Sequence, residues 1–284
     1  DPSYQNAGRM DNKGWEFLVE THNRIGEFGI NANVNFSIND NTVKDLAGTG
    51  PYITGGLEDR NIVGEGYPYR GYWGYLTDGL FQTQEEVDGY PNYVPGTAPG
   101  DVKILDLNKD GIISPDDMTY LGRVFPRYTY GSNINVTFKG FTLNLLFQGT
   151  GGSKTRLGGA IFQMGVWGGF THKLIANNYW TPENPNARFP RPVKFDTRND
   201  DMIDRSLVDA SYFRLKNAQL VYSIPSRFTK KIGIAGISVY VATTNLLTFA
   251  SFNEWNLDPE TIPGTRTERY PQTSVTTFGL NAQF

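Results

Sequence analysis

One stretch of the sequence has the residue types and spacing of a calcium-binding loop. Residues 106–117 read D-L-N-K-D-G-I-I-S-P-D-D, with Gly111 at the sixth position, where such a loop turns sharply. Ca²⁺ takes roughly six to eight oxygen ligands, so the loop predicts a structural calcium site. The same sequence also suits a loop of Asx turns that binds no metal. The predicted ligands are Asp106, Asn108, Asp110, the Ile112 carbonyl, Ser114 and Asp117.

A second group of residues could bind ligands through flat aromatic faces. Large aromatic rings stack on sugar faces and on peptide side chains. The alternative is that these rings form the cores of loops or a dock for a protein lid. The candidates for contact with a substrate or a lid are Tyr72, Trp73, Trp167, Trp180 and Trp255.

Catalysis and nucleic-acid binding are both disfavoured by the sequence. The two histidines, His22 and His172, are far apart in the chain, and no G-x-S-x-G nucleophile motif is present. The chain has no cysteine, which excludes a thiol nucleophile and a disulfide framework. A net charge of -3 and a pI near 5.5 leave no basic footprint for nucleic acid. We therefore predict a protein that is not an enzyme.

The elements that must position these residues are β-strands with one apolar face. Residues 277–284 alternate strictly, with Phe278, Leu280, Ala282 and Phe284 on one face. Residues 28–39 alternate in the same way, and their polar face is mostly Asn, Gly and Ser, which suits a wet interior better than a soluble sandwich. The predicted fold is all-β, about seven antiparallel strands of a large transmembrane β-barrel. The predicted strands cover 15–21, 28–39, 128–138, 141–148, 213–222 with a bulge near Asn217, 237–243 and 277–284.

The connections between these strands alternate between short and long. Barrels of the bacterial outer membrane have short periplasmic turns and long extracellular loops. Turns near residues 24–27, 139–140 and 225–233 would be periplasmic, and loops at about 40–126, 150–210 and 248–273 would be extracellular. The sequence contains no run of about 18 apolar residues, so we predict no helical membrane span. Seven strands do not close a barrel, so we expect the rest of the wall to come from outside this chain.

Several stretches, in order along the whole chain, resemble the C-terminal barrel of the SusC/RagA family of TonB-dependent outer-membrane transporters. They are residues 74–86, 99–103, 122–131, 179–186 with Pro190 and Arg191, 209–217, 245–249, 257–260 and the terminal Phe284.

This resemblance implies a barrel of about 22 strands that is plugged by an N-terminal domain. It implies active import of glycan or peptide oligomers, with a SusD-like surface lipoprotein and the TonB complex as partners, in the lipid of the outer membrane. The plug and most of the barrel are expected to be absent from residues 1–284. A passive porin-like channel and, less favoured, a soluble calcium-bound carbohydrate-binding β-protein remain as alternatives.

Overall fold

The computed structural model describes residues 8–56, 59–91, 94–157, 171–194, 196, 198–199, 203–260 and 272–284. Within them the strands are β1 (Arg9–Ile25), β2 (Phe28–Asp45), β3 (Tyr52–Thr54), β4 (Asn61–Val63), β5 (Gly71–Tyr75), β6 (Thr77–Leu80), β7 (Val102–Ile104), β8 (Met118–Arg123), β9 (Tyr128–Phe138), β10 (Phe141–Gly151), β11 (Lys154–Arg156), β12 (Leu207–Asp209), β13 (Tyr212–Ile224), β14 (Gly236–Ala250) and β15 (Val275–Gln283). The helices are α1 (Gln84–Asp88), α2 (Lys173–Ala176) and α3 (Ser226–Thr229), with 3-10 turns at Pro115–Asp117, Asp204–Ser206, Lys230–Ile232 and Asn253–Trp255.

Seven long strands form one antiparallel sheet in the order β1-β2-β9-β10-β13-β14-β15. These are the seven strands predicted from the sequence, so the predicted all-β wall is confirmed. The bulge expected near Asn217 is also present, because the register shifts between Leu215 and Asn217 in the pairing of β13 with β14. Among the described residues, the helices are all too short or too polar to cross a membrane.

Three of the long strands extend a few residues past the approximate loop boundaries expected from the sequence. β2 continues to Asp45, β10 to Gly151 and β14 to Ala250, so the long loops begin later than expected. In β2 the apolar alternation stops near residue 39, but the backbone ladder with β1 continues to the pair of Arg9 with Asp45. Backbone hydrogen bonds therefore extend these strands where the side chains no longer alternate.

The sheet has one apolar face and two aromatic belts on it. At one end Tyr128 stacks on Phe36 with ring centroids 6.2 Å apart. At the other end Phe28 stacks on Phe138 at 4.1 Å, and Phe141 lies 4.5 Å from Tyr222. Ten residues separate the belts along β9, which is about 34 Å of strand or about 26 Å of height at a tilt of about 40°. The apolar band of a membrane barrel is about 25 Å tall, so the two belts have the separation that a bilayer requires.

The long connections fold into a layer with its own sheets and cores. A four-stranded sheet, in the order β3-β4-β5-β8, and the two-stranded pairs β6-β7 and β11-β12 lie there. The largest buried cluster surrounds Tyr75, which is fully buried, and includes Ile203 from a loop far along the sequence. Asp101 receives two hydrogen bonds of 2.8 Å from the Arg191 guanidinium, which joins the first long loop to the second. The loops are therefore packed against one another and not independent.

Candidate functional site

A row of amide side chains crosses the polar face of the wall. His22, Asn31, Asn135, Asn144 and Gln219 are register partners on five successive strands, β1, β2, β9, β10 and β13. His22 Nδ1 lies 3.0 Å from Asn31 Oδ1, and Asn31 donates to Asn135 at 3.3 Å. Asn135 donates to Asn144 at 2.7 Å, and Asn144 donates to Gln219 at 3.1 Å. The side chains form one continuous chain of hydrogen bonds across the sheet.

This amide ladder keeps hydrogen-bonding capacity for other molecules. A carboxamide has two N–H donors and two acceptor lone pairs, and each internal member spends one donor and one acceptor on its neighbours. A cleft of about 390 Å³ is lined by ladder residues and by neighbours such as Glu20 and Asn33, which are themselves hydrogen-bonded at 2.7 Å. The face therefore presents paired donors and acceptors, which suit sugar hydroxyls and peptide amides equally.

An ion network connects the last long loop to the same face. Arg214, whose side chain is 3% exposed, donates to Asp258 at 2.8 Å and to Glu260 at 2.6 Å. Its Nε donates to Thr248 Oγ1 on β14 at 2.8 Å. Lys216 Nζ lies 2.6 Å from the second Glu260 oxygen. The two cations balance the two carboxylates, so this buried network is neutral.

Two amide side chains complete the network around Glu260. Gln148 on β10 donates to Glu260 at 2.9 Å, and Gln272 donates to it at the same distance. Burial raises the pKa of the Glu260 carboxyl, but the hydrogen bonds from Lys216 and Gln272 and the charge of Arg214 outweigh burial and leave the pKa lowered. The carboxylate is thus held ionised at the root of the loop.

The predicted calcium loop is ordered by its own hydrogen bonds. The Asp106 carboxylate accepts from the backbone N–H groups of Lys109 at 2.7 Å and Gly111 at 2.9 Å. Lys109 and Gly111 both have positive φ, 62° and 83°, which makes the sharp turn expected at this point. Asp110 accepts from Asn108 Nδ2 at 3.0 Å, and the side-chain oxygen Oδ1 of Asn108 accepts from the Asp110 backbone N–H at 2.9 Å. Ile112 is 65% exposed, and its backbone N–H donates to Asp110.

Asp117, the last predicted ligand, closes this loop from inside. It is fully buried, and one oxygen accepts from the backbone N–H groups of Leu107 and Asn108 at 2.8 and 3.2 Å. The other oxygen accepts from the Ser114 N–H at 2.8 Å. Burial raises the pKa of Asp117, yet these backbone donors, together with a side-chain hydrogen bond involving Asp106, lower it overall.

The loop geometry fits calcium in part. Each carboxylate oxygen that accepts one backbone hydrogen bond keeps a lone pair that a cation could use. Over the described ranges, however, no three acidic, histidine or cysteine side chains come together as a metal-binding group. Hydrogen bonds within the loop hold its turn. Calcium binding stays a prediction.

The predicted aromatic contacts lie mostly inside the loop layer. Tyr72, Trp180 and Trp255 are buried, with 3, 8 and 3% of their surface exposed, and each belongs to a loop core. Trp73 is half-buried against the core that contains Trp180. Trp167 lies outside the described residues. This placement favours packing over substrate contact for the three buried rings, because a ligand could stack on them only after the loops separate.

Neither the amide ladder nor the ion network was predicted from the sequence. The polar parity of each strand was visible, but the ladder depends on which asparagines become register partners across strands up to 104 residues apart. The network depends on the return of the last loop to β13, which places Asp258 beside a residue 44 positions earlier. The available signal for the ion network was the presence of Arg214 and Lys216 on a strand that has no other charged residue.

Comparison with known proteins finds similar sequences among TonB-dependent receptors. No protein-family model matches the chain. The chain is 31% identical over 301 residues to TonB-dependent receptor P26 of Formosa agariphila and 30% identical over 297 residues to TonB-dependent receptor P3 of the same organism. Each alignment covers 99% of this chain, but the chain spans only about 30% and 29% of those relatives.

Solved structures agree with these relatives. The chain superposes on a structure of the RagAB peptide transporter with a TM-score of 0.75 at 25% identity, covering 99% of this chain and 30% of that one. A second structure, the RagAB peptide importer in the open-open state, gives a TM-score of 0.74 at 25% identity, covering 99% of this chain and 29% of that one. The two-faced sheet and these similarities agree: the chain is similar to the β-barrel portion of TonB-dependent receptors.

Proposed function

We propose that this chain forms part of the barrel wall and outer loop layer of a TonB-dependent nutrient importer in the bacterial outer membrane. The observation that carries the proposal is the two-faced sheet, with aromatic belts about one bilayer apart on one face and the amide ladder on the other. An apolar outer face suits lipid, and a polar inner face suits an aqueous path. The named relatives are receptors and transporters, and we propose no catalysis for this chain.

The proposed complex is of the SusCD type, in which this barrel pairs with a SusD-like surface lipoprotein and is energised by the TonB complex. The substrate would be a nutrient oligomer, either a glycan or a peptide. The solved neighbours are named as peptide transporters, which makes peptide the first class to test. The amide ladder suits both classes, because hydroxyl and peptide groups each offer donors and acceptors.

Uptake by cells that produce the native protein tests this function. Labelled oligopeptides and oligosaccharides would be supplied to matched strains with and without a working TonB complex, and with and without the lipoprotein. We expect saturable uptake of one class that disappears when either partner is missing. Undiminished uptake without TonB would instead show a passive channel, and a protein that stays monomeric without detergent would show that it does not span a membrane.

We also propose that the loop at residues 106–117 binds Ca²⁺ as a structural ion on the extracellular side. Support comes from the oxygen-bearing residues at every ligand position of the sequence pattern and from the turn at Gly111. When bound, the ion would be held by carboxylates such as Asp106 and Asp110 and would add rigidity to the loop.

Limited proteolysis of the loop, with calcium and with chelator, tests the proposal without any transport assay. We expect chelator to speed cleavage within the loop of the native protein, and the double variant Asp106→Ala, Asp110→Ala to be cleaved quickly under both conditions. Asp116→Ala is the matched control, because the ligand positions do not include it. Equal cleavage of native protein with and without chelator would exclude a stabilising calcium ion.

A further inference from the structure

The connection between β13 and β14 is an amphipathic helical turn and not a tight hairpin. Helix α3 leads directly into the 3-10 turn Lys230–Ile232. Thr229 is 1% exposed and anchors the segment, since its carbonyl accepts from the Ile234 N–H at 3.1 Å. Phe228 and Ile232, four residues apart, are 51% and 66% exposed. Two large apolar side chains are thus held outward by a turn whose one buried side chain is a threonine.

The same turn carries three positive charges and no negative one. Arg227, Lys230 and Lys231 are all exposed, and residues 225–235 include no Asp or Glu. The Arg227 guanidinium lies 4.7 Å from the centroid of the Phe228 ring. Across the described part of the chain, none of the three cations forms an ion pair with a carboxylate. The turn is therefore a small basic surface with apolar side chains beside the charges.

A neighbouring turn at the same end of the sheet shows the contrast. The hairpin turn between β9 and β10 also exposes a lysine, Lys139, but its Nζ lies 3.0 Å from Glu27 in the adjacent turn. That charge is compensated within the protein. At this end of the described wall, Arg24 beside the β1–β2 turn also lacks an ion pair, but the connection from β13 to β14 brings three such cations together.

This basic turn directly continues the second aromatic belt. The last register pair of the two strands before the turn is Ile224 with Ile237. Tyr222, two residues earlier on β13, lies against Phe141 in that belt. The apolar outer face therefore reaches the turn without a polar break on that side, and the exposed Phe228 lies four residues beyond Ile224 in the chain.

We infer that this turn binds the anionic headgroup of a phospholipid in the membrane leaflet at this end of the barrel. Basic side chains donate hydrogen bonds to phosphate oxygens, and aromatic and aliphatic side chains of an interfacial helix enter the boundary between headgroups and acyl chains. The charge sign and the continuity with the apolar belt both favour a lipid over a protein partner. The inference rests on the membrane placement in the proposed function and adds a lipid class to it.

Native mass spectrometry of the intact protein in detergent would test the inference. The protein would be titrated with phosphatidylglycerol and, separately, with phosphatidylcholine, and the bound lipids counted. The test variant is the triple substitution R227Q/K230Q/K231Q, and K139Q is the matched control. Each basic residue near an anionic lipid surface contributes about a fivefold gain in binding. We expect the triple variant to lose the preference for phosphatidylglycerol by about tenfold or more, and K139Q to keep it.

Two further measurements distinguish lipid binding at this turn from unspecific anion binding. Phe228→Ser should weaken retention of phosphatidylglycerol while the protein stays folded, because the side chain is already exposed. Inorganic phosphate should not displace the lipid at matched concentration; displacement would mean an unspecific anion site and overturn the inference. An unchanged lipid preference in the triple variant, or an equal loss in K139Q, would also overturn it. If the lipid preference fails these tests but the protein still needs detergent, only the lipid inference is overturned and the importer proposal stands. If the protein is monomeric without detergent, both the lipid inference and the importer proposal are overturned.

Discussion

Replacing Arg214 by methionine tests whether the buried ion network holds the last long loop on the barrel wall. The guanidinium is 3% exposed and donates to Asp258, Glu260 and Thr248. Methionine keeps much of the volume but removes the cation, so two carboxylates lose a charged partner inside the protein. Removal of one member of a buried pair costs about 3–5 kcal/mol. Since about 1.4 kcal/mol is a tenfold change, the open state of the loop should rise about a hundredfold to several thousandfold.

Hydrogen exchange of the intact protein measures this opening at residues 252–260. The control is Arg9→Met, because Arg9 is an exposed side chain whose contact with Asp11 is 3.4 Å long, and exposed pairs contribute about 0–1 kcal/mol. The double variant Arg214→Met, Asp258→Asn removes one of the two stranded charges and should regain part of the protection. Exchange at 252–260 that rises less than about tenfold, or that rises equally in Arg9→Met, would refute the reasoning.

Three other predictions concern the wall and its pH response. Gly279→Val should destabilise the barrel by about 1–3 kcal/mol, because a Cβ there would overlap the Tyr240 ring, whereas Gly236→Ala has room; urea midpoints of both variants check this. Asn144→Leu removes two hydrogen bonds from the amide ladder and should cost about 1–2 kcal/mol, and an unchanged urea midpoint would contradict it. The pKa of Glu260 is lowered below its ordinary 4.5, so its stabilising effect is complete above that value and is lost as the pH falls through the folded-state pKa. The protection of the last loop, taken as its hydrogen-exchange rate relative to the intrinsic rate at each pH, should therefore fall as the pH drops below 4.5, and constant protection would argue against this carboxylate.

The sequence predicted the wall because strand faces are encoded locally. In residues 28–39 each side chain's parity decides its face, and no distant residue is needed to recognise the strand. The prediction stopped near Asp40, where the positions that continue the apolar face become polar. Pairing with β1 continues there because a strand that already has a neighbour gains backbone hydrogen bonds whatever its side chains are.

The site was harder to predict because it depends on contacts between distant residues. Asn31 and Asn135 look like ordinary polar-face residues until the register makes them partners. Trp180 and Trp255 have the chemistry of ligand contacts, and only the folding of separate loops onto one another shows that they are buried. In the same way, the acidic pattern at 106–117 predicts both a metal site and a hydrogen-bonded turn, and the two share most of their residues.

The unequal lengths of the wall strands bear on recognition from outside the cell. On the lipid-facing side of the β1–β2 hairpin, the apolar residues end at the pair Trp15 and Ile38, yet the strands continue to Arg9 and Asp45. Six further residues add about 20 Å of strand, or about 15 Å of height at a tilt of about 40°. In the proposed setting this extension is a water-exposed surface with a fixed backbone. An antibody against it would lose little conformational entropy on binding compared with one that must order a flexible loop, so this edge is the part of the wall best suited as a shape-specific epitope.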